Sequence, residues 1–177
     1  MEFWDLYDIN RELTGKTIVR GDQIPEGFYH LVVHVCLFNS KNQMLIQQRQ
    51  PFKKGCSNMW DLSVGGSAQA GDTSRTAAER EVYEELGLKI DLSHARPAIT
   101  VPFRVGYDDI YIVEKDIDIE DLKLQYDEVQ AVQWATEDEI LHMMDEDLFI
   151  PYHKSLISLL FGLRLTKDAH SNLKKQK

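Results

Sequence analysis

Residues 65–88 constrain the fold of this chain more than any other part of its sequence. They read GGSAQAGDTSRTAAEREVYEELGL. Asp72 and Thr73 offer side chains that cap the start of a helix, and Gly87 is suited to the left-handed position that follows a helix end. The segment therefore predicts a well-delimited α-helix over residues 73–86.

Three glutamates share one face of this predicted helix, namely Glu81, Glu84 and Glu85. At about 100° per residue they fall within about 100° of arc, beside an apolar stripe made of Ala78, Val82 and Leu86. Like charges four residues apart repel, and the last turns of a helix disfavour anions. A hard divalent cation removes this cost, because Mg²⁺ prefers carboxylate and phosphate oxygens. A solvated acidic helix is the alternative.

The spacing of residue types across this segment resembles the Nudix box, G-x5-E-x7-R-E-U-x-E-E-x-G-U, where U is an aliphatic residue. One position departs from it, because the first glutamate of the box is Asp72 here. The resemblance implies an α/β protein, a Nudix-type α/β/α sandwich with a central mixed sheet. It also implies a MutT-like pyrophosphohydrolase in which Mg²⁺ or Mn²⁺ supports the attack of water on a diphosphate linked to another moiety.

Carried over by position, the resemblance assigns roles to individual side chains of the box. Glu81, Glu84 and Glu85 would bind the metal, with the carbonyl of Gly66 as an extra ligand. Arg80 would orient a box glutamate. The general base in such enzymes is either a box glutamate, with Glu84 the candidate here, or a carboxylate on a later loop.

Three further carboxylates are candidates for completing the site. Asp72 either contributes to the metal site or serves as a plain helix cap. Asp109 and Glu128 begin predicted strands and either reach the site or are solvated charges at strand ends. The sequence leaves both alternatives open for each of them.

Other segments resemble the isopentenyl-diphosphate isomerase branch of the same superfamily, namely YDINRELTG, YHLVVHV and an R-x-x-x-K-K loop before Trp60. In that branch the loop cations contact the substrate diphosphate, which implies this role for Arg49 and Lys53. A solvated basic loop is the alternative. His30 matches a metal ligand of the branch, but without its partner ligands it is interpreted as an ordinary strand histidine.

The isomerase branch uses a Cys-Gly-His sequence just after the tryptophan strand, where this chain has Gly65, Gly66 and Ser67. The thiol and one imidazole are thus absent, while all three box glutamates are present. This favours hydrolysis of an organic or nucleoside diphosphate derivative. An isomerase-like enzyme and a non-catalytic sensor of a diphosphate ligand are the competing hypotheses.

Composition limits the class of partner and the compartment. A chain of 177 residues with a formal net charge of −9 favours a small-molecule diphosphate substrate over nucleic acid or an anionic membrane. The two cysteines, Cys36 and Cys56, indicate no disulfide framework. With neither a long apolar run nor a basic, signal-like start, we expect a cytoplasmic protein. The resemblance leaves a homodimer open.

The order of elements along the chain predicts a single domain over residues 1–166. It opens with a β-hairpin within residues 1–22, whose turn includes Gly15, and it is followed by a loose tail over residues 167–177. Pro151 is expected at the first position of a final helix over residues 152–165.

Overall fold

A computed structural model describes residues 1–166 and 168–170 of the chain. Within this part lie nine β-strands, three α-helices and one 3₁₀ helix. The strands are β1 (Phe3–Tyr7), β2 (Leu13–Val19), β3 (His30–Phe38), β4 (Met44–Arg49), β5 (Trp60–Asp61), β6 (Val64–Ser67), β7 (Ile99–Phe103), β8 (Gly106–Glu114) and β9 (Val129–Ala135). The helices are α1 (Ser74–Leu86), α2 (Glu137–Asp145) and α3 (Lys154–Thr166), with the 3₁₀ helix at Ile119–Asp121.

The fold class is the predicted one, α/β with a central mixed sheet. Seven strands form one sheet with the order β5-β4-β3-β8-β7, in which β6 also pairs with β3 and β9 with β4. Most of these pairs are antiparallel. Strands β3 and β8 run in the same direction, because the His30 N–H donates to Val105 O and the Lys115 N–H donates to Phe38 O.

The chain divides into two compact units. The first unit contains Met1–Val35, Val64–Tyr111 and Leu122–Gln125. The second contains Cys36–Ser63, Ile112–Asp121 and the chain from Tyr126 onward. The predicted single domain over residues 1–166 stays a prediction.

Each unit buries its own apolar residues. In the first unit α1 packs on β6 and buries Ala77, Ala78, Val82 and Leu86, which confirms the predicted apolar stripe. In the second unit β4 pairs along its length with β9, and α2 packs against α3. The buried side chains there include Met44, Leu45, Ile46, Ile140 and Phe161. The apolar first half of β4, Met44–Ile46, explains why this strand is buried in its unit.

The structure corrects two boundary predictions and leaves a third outside its range. Gly15 lies inside β2 with a φ of 73°, not in the hairpin turn. The final helix begins at Lys154, so Pro151 precedes it and does not occupy its first position. The predicted tail over residues 167–177 lies outside the described residues except for 168–170.

Candidate active site

Helix α1, which carries the box glutamates, starts and ends close to the predicted positions. Its N-cap is Thr73, whose hydroxyl accepts from the Thr76 N–H, while the Thr76 hydroxyl accepts from the Thr73 N–H. Gly87 follows the helix with a φ of 65° and donates its N–H to Tyr83 O. A non-glycine residue would be strained in this left-handed conformation. The capping alternative for Asp72 is therefore wrong, because Thr73 holds that position.

The three box glutamates differ in exposure, because each turns by a different angle from the buried stripe of α1. The side chain of Glu81 is 14% exposed and that of Glu84 is 43% exposed. Glu85 is buried, and its backbone carbonyl accepts from the Gln125 N–H. Burial raises the pKa of Glu81, and the neighbouring Arg80 acts in the opposite direction.

The guanidinium of Arg80 links two of these glutamates. Its Nη1 donates to Glu81 Oε1 at 2.9 Å and to Glu84 Oε2 at 3.1 Å. Because both oxygens contact one nitrogen, they lie no more than about 6 Å apart. The two carboxylates therefore converge on the same nitrogen of Arg80.

The far side of Arg80 is held by Asp72 and by β6. Asp72 Oδ2 accepts from Nε at 3.2 Å and from Nη2 at 2.9 Å, and Ser67 O accepts from Nη2 at 3.2 Å. Burial alone would lower the pKa of Arg80, but the carboxylates of Asp72 and Glu81 outweigh it, so that pKa lies above its usual value. Asp72 thus positions Arg80, a role that its place in the sequence did not indicate.

Gly66 closes the other side of this cluster. It pairs with Val33 across β6 and β3, and the carboxyl group of Glu81 lies over its Cα. A Cβ at Gly66 would lie 2.5 Å from Glu81 Oε2, well inside van der Waals contact. Only glycine leaves this space for the Glu81 carboxylate.

The predicted site residues of the first unit are therefore only partly gathered. Arg80, Glu81, Glu84, Asp72 and Gly66 form one contact network. Among residues 1–166 and 168–170, no three His, Cys, Asp or Glu side chains adopt an arrangement that holds a metal ion. The assignment of metal ligands stays a prediction.

Asp109 lies inside β8 and is fully buried, so its interpretation as a solvated charge at a strand end is wrong. It accepts hydrogen bonds from Ser74 Oγ at 2.6 Å and from Thr100 Oγ1 at 2.6 Å, and it forms an ion pair with Arg11. The Ser74 hydroxyl also contacts Tyr111 Oη at 2.8 Å. Nothing in the sequence predicted a role for Arg11, Ser74 or Thr100, although Arg11 lies in the YDINRELTG segment that resembles the isomerase branch.

The predicted substrate cations belong to the second unit. Lys53 forms an ion pair with Glu128, the residue just before β9. Arg49 donates from Nε to Gly55 O at 3.2 Å, and its Nη1 lies 3.9 Å from Asp61 Oδ2. Their contact with a diphosphate stays a prediction, as does any catalytic role for Glu128.

Two histidines of β3 occupy distinct environments in the first unit. His30 is buried, stacks on Trp4 with ring centroids 4.5 Å apart, and has a pKa lowered by burial. His34 lies over Gly65, and its Nδ1 is 2.8 Å from Asp108 Oδ1. The contact between His34 and Asp108 was not predictable from the sequence, because nothing local indicates that β3 and β8 bring them together.

Comparison with known proteins identifies the family. The NUDIX domain model matches residues 28–156, which is most of the chain. The chain belongs to the Nudix family. It is an enzyme of the Nudix pyrophosphohydrolase class and hydrolyses diphosphates.

Relatives and a solved structure support the family assignment. An uncharacterised Nudix hydrolase of Listeria innocua is 48% identical over 170 residues, which cover 96% of this chain and 99% of that protein. An isopentenyl-diphosphate Δ-isomerase of Pectobacterium atrosepticum is 28% identical over 146 residues, covering 78% of this chain and 79% of the isomerase. The crystal structure of DR0079 from Deinococcus radiodurans matches with a TM-score of 0.72 and 26% identity, over 90% of this chain and 97% of that one.

Among the residues that the structure describes, no helix has both the length and the apolar character needed to cross a membrane.

Proposed function

We propose that this Nudix protein is a Mg²⁺-dependent hydrolase, also able to use Mn²⁺, that cleaves the diphosphate bond of an organic or nucleoside diphosphate derivative. One observation carries the proposal. The Glu81 carboxylate is held against Gly66 and shares the Nη1 atom of Arg80 with Glu84. Carboxylates that converge beside a side-chain-free backbone suit a hard cation, which takes oxygen ligands.

The types of donor present suit such an ion, and their side chains would have to reorient to surround it. Glu81, Glu84 and Glu85 would supply carboxylate oxygens, and Gly66 would supply a backbone carbonyl. The buried position of Glu81 supports the fit, because burial penalises its ionised form and a cation would relieve that penalty. A divalent ion, when bound, would neutralise charge on the diphosphate and lower the pKa of an attacking water.

The residues of the chain then have separate tasks. Water adds to one phosphorus while the phosphoanhydride P–O bond breaks, so two phosphate products leave. Arg80 would hold Glu81 and Glu84 in place, because it is itself held by Asp72. Glu84 is the preferred general base, since its side chain is the exposed member of the cluster.

The later carboxylates are weaker candidates for the base. Asp109 already accepts from three donors and has no exposed surface. Glu128 is paired with Lys53. Arg49 and Lys53 would bind the substrate diphosphate, and Lys53 would have to exchange its carboxylate partner for phosphate to do so.

The test is a substrate panel that includes ADP-ribose and diadenosine tetraphosphate, with phosphate or nucleotide release measured with and without Mg²⁺. We expect Glu81→Gln and Glu84→Gln to lower turnover by about 10²-fold or more, because each removes a ligand charge. Glu79→Gln is the matched control on α1, because Glu79 Oε1 accepts from the Leu92 N–H and an amide oxygen can still do so. Wild-type turnover in both cluster variants would contradict the proposal.

Isomerisation of an isoprenoid diphosphate is a second candidate, favoured by the similarity to the Pectobacterium isomerase. The site argues against it, because the resemblance places the isomerase thiol at Gly65 and the ring of His34 occupies that space. Incubating the protein with isopentenyl diphosphate in D₂O decides between them. Solvent deuterium in the recovered substrate would support isomerisation, and tight binding without turnover of any panel compound would support a sensor.

The proposal includes a cytoplasmic location and a small-molecule partner. The net charge of −9 supports a partner other than nucleic acid or an anionic membrane. The proposal also includes a homodimer, and sedimentation velocity would test this oligomeric state directly.

A further inference from the structure

We propose that the N-terminal hairpin, formed by β1 and β2, positions the carboxylate cluster of α1, and that Asp5 is its main contact. This inference rests on the proposed metal-dependent hydrolysis. The hairpin lies outside residues 28–156, the part that matches the NUDIX domain model. It nevertheless contacts the loop that carries Asp72, and it reaches the start of α1 through Asp109.

The first contact is between β1 and the loop that precedes α1. Phe3 O accepts from the Ala70 N–H at 2.8 Å. Asp5 Oδ2 accepts from the Gly71 N–H at 2.7 Å. Ala70 and Gly71 are exposed, so the loop gains little from apolar burial there. These two hydrogen bonds tie the loop to β1, and such ties matter because exposed segments with few buried contacts open readily.

The second step leads from this loop to the cluster. Asp72 directly follows Gly71, and its N–H donates to Gln69 O at 2.9 Å. Its Oδ2 accepts from the Gln69 N–H at 3.0 Å and from Arg80 at 2.9 Å. The orientation of Arg80, which contacts Glu81 and Glu84, therefore depends on the loop that Asp5 holds.

A second anchor lies at the start of α1. Arg11, in the turn between β1 and β2, forms an ion pair with the buried Asp109. Asp109 accepts at 2.6 Å from the hydroxyl of Ser74, the first residue of α1. The guanidinium of Arg11 also lies 5.6 Å from the centre of the Tyr107 ring. Two separate points of the hairpin are thus tied to the segment that begins α1.

Asp5→Ala compared with Asp5→Asn tests the inference, because the amide oxygen of asparagine can still accept from Gly71. Thr17→Ala is the matched control, since Thr17 is exposed and faces Asp5 across the hairpin. Hydrogen exchange is read at the Gln69 and Asp72 amides, which Asp5 does not contact. Mn²⁺ binding is read from the paramagnetic resonance signal of the free ion, alongside the melting temperature.

We expect Asp5→Ala to speed exchange at these two amides by about tenfold and to weaken Mn²⁺ binding by about tenfold, the effect of one lost hydrogen bond. Asp5→Asn and Thr17→Ala should both keep the exchange rates and the Mn²⁺ affinity of wild type. Unchanged exchange at Gln69 and Asp72 in Asp5→Ala, or equal losses in both Asp5 variants, would overturn the inference.

The two proposals can fail separately. If wild type hydrolyses nothing in the panel, the proposed function fails, while hydrogen exchange still decides whether the hairpin holds the loop. If wild type is active and Asp5→Ala matches it in exchange and in Mn²⁺ binding, only the role of the hairpin fails.

Discussion

Replacing Gly66 with alanine probes the geometry of the cluster at its tightest point. The new Cβ would lie 2.5 Å from Glu81 Oε2, whereas an ordinary contact is at least 3.4 Å. The carboxylate must therefore move by about 1 Å. Because it is the end of a flexible side chain, the backbone of β6 can stay in place and the strain falls on Glu81.

The cost in stability is small, and the cost in activity is large. Forcing Glu81 off its rotamer costs about 0.5–1.5 kcal/mol, and weakening its ion pair with Arg80 costs up to about 1 kcal/mol. Alanine recovers about 0.5–1 kcal/mol relative to glycine in a strand, so the free energy of unfolding should fall by at most about 2 kcal/mol. A displacement of about 1 Å in a catalytic group lowers turnover by about 10²-fold.

The assay is Mg²⁺-dependent phosphate release with the best substrate of the panel, together with urea unfolding of the same preparations. Gly162→Ala is the control, because Gly162 lies within α3 and no heavy atom is within 4 Å of a Cβ at that position. This control variant should have a free energy of unfolding about 0.5–1 kcal/mol above that of wild type and should keep full activity. Wild-type turnover in Gly66→Ala would refute the reasoning, because Glu81 could then move without consequence.

Three further predictions concern other positions in the first unit. Gly65→Cys should lower the melting temperature by about 2–10 °C and give no isomerase activity, because the new Cβ would lie 2.5 Å from His34 Nε2. Adding His34→Ala should restore the melting temperature. An unchanged melting temperature in Gly65→Cys would contradict this prediction. Asp109→Asn should lower the free energy of unfolding, measured in urea, by about 2–4 kcal/mol, because Arg11 loses the charge of its buried partner. A decrease below about 0.5 kcal/mol would contradict this prediction. Burial lowers the pKa of His30 below its ordinary value of 6.5, so the unfolded chain binds more protons just below pH 6.5. The free energy of unfolding should therefore fall as the pH drops through that value. His30→Phe should remove that part of the pH dependence in thermal melts.

Helix α1 was predictable from the sequence because its signals are local. Thr73, Gly87 and the buried stripe of α1 act within a few residues of one another, and periodicity places the stripe against a core. The convergence of Glu81 and Glu84 follows from the same periodicity. These features depend on the 3.6-residue repeat and not on the rest of the fold.

The partners of the cluster were not predictable, because they depend on strand register and on long sequence separations. Asp109 resembled a strand-end charge, since the polar run GYDD hides a strand that already begins at Gly106. Its ion pair with Arg11 joins residues 98 positions apart. Asp72 matched helix-cap chemistry, and only the folded loop shows that it binds Arg80 instead.

The arrangement of Arg80 also explains how α1 tolerates its acidic face. Arginine four residues before glutamate is the poorer orientation for a helical ion pair, and the last turns of a helix disfavour carboxylates. A guanidinium cannot be deprotonated at any working pH, so its charge is fixed. Asp72, Glu81 and Glu84 all contact it, which leaves two negative charges uncompensated when all three carboxylates are ionised. Glu85, the third box glutamate, adds to this excess when it is ionised, and a divalent cation would reduce it. The same contacts that stabilise the helix in the absence of an ion therefore leave the residual charge that would bind one.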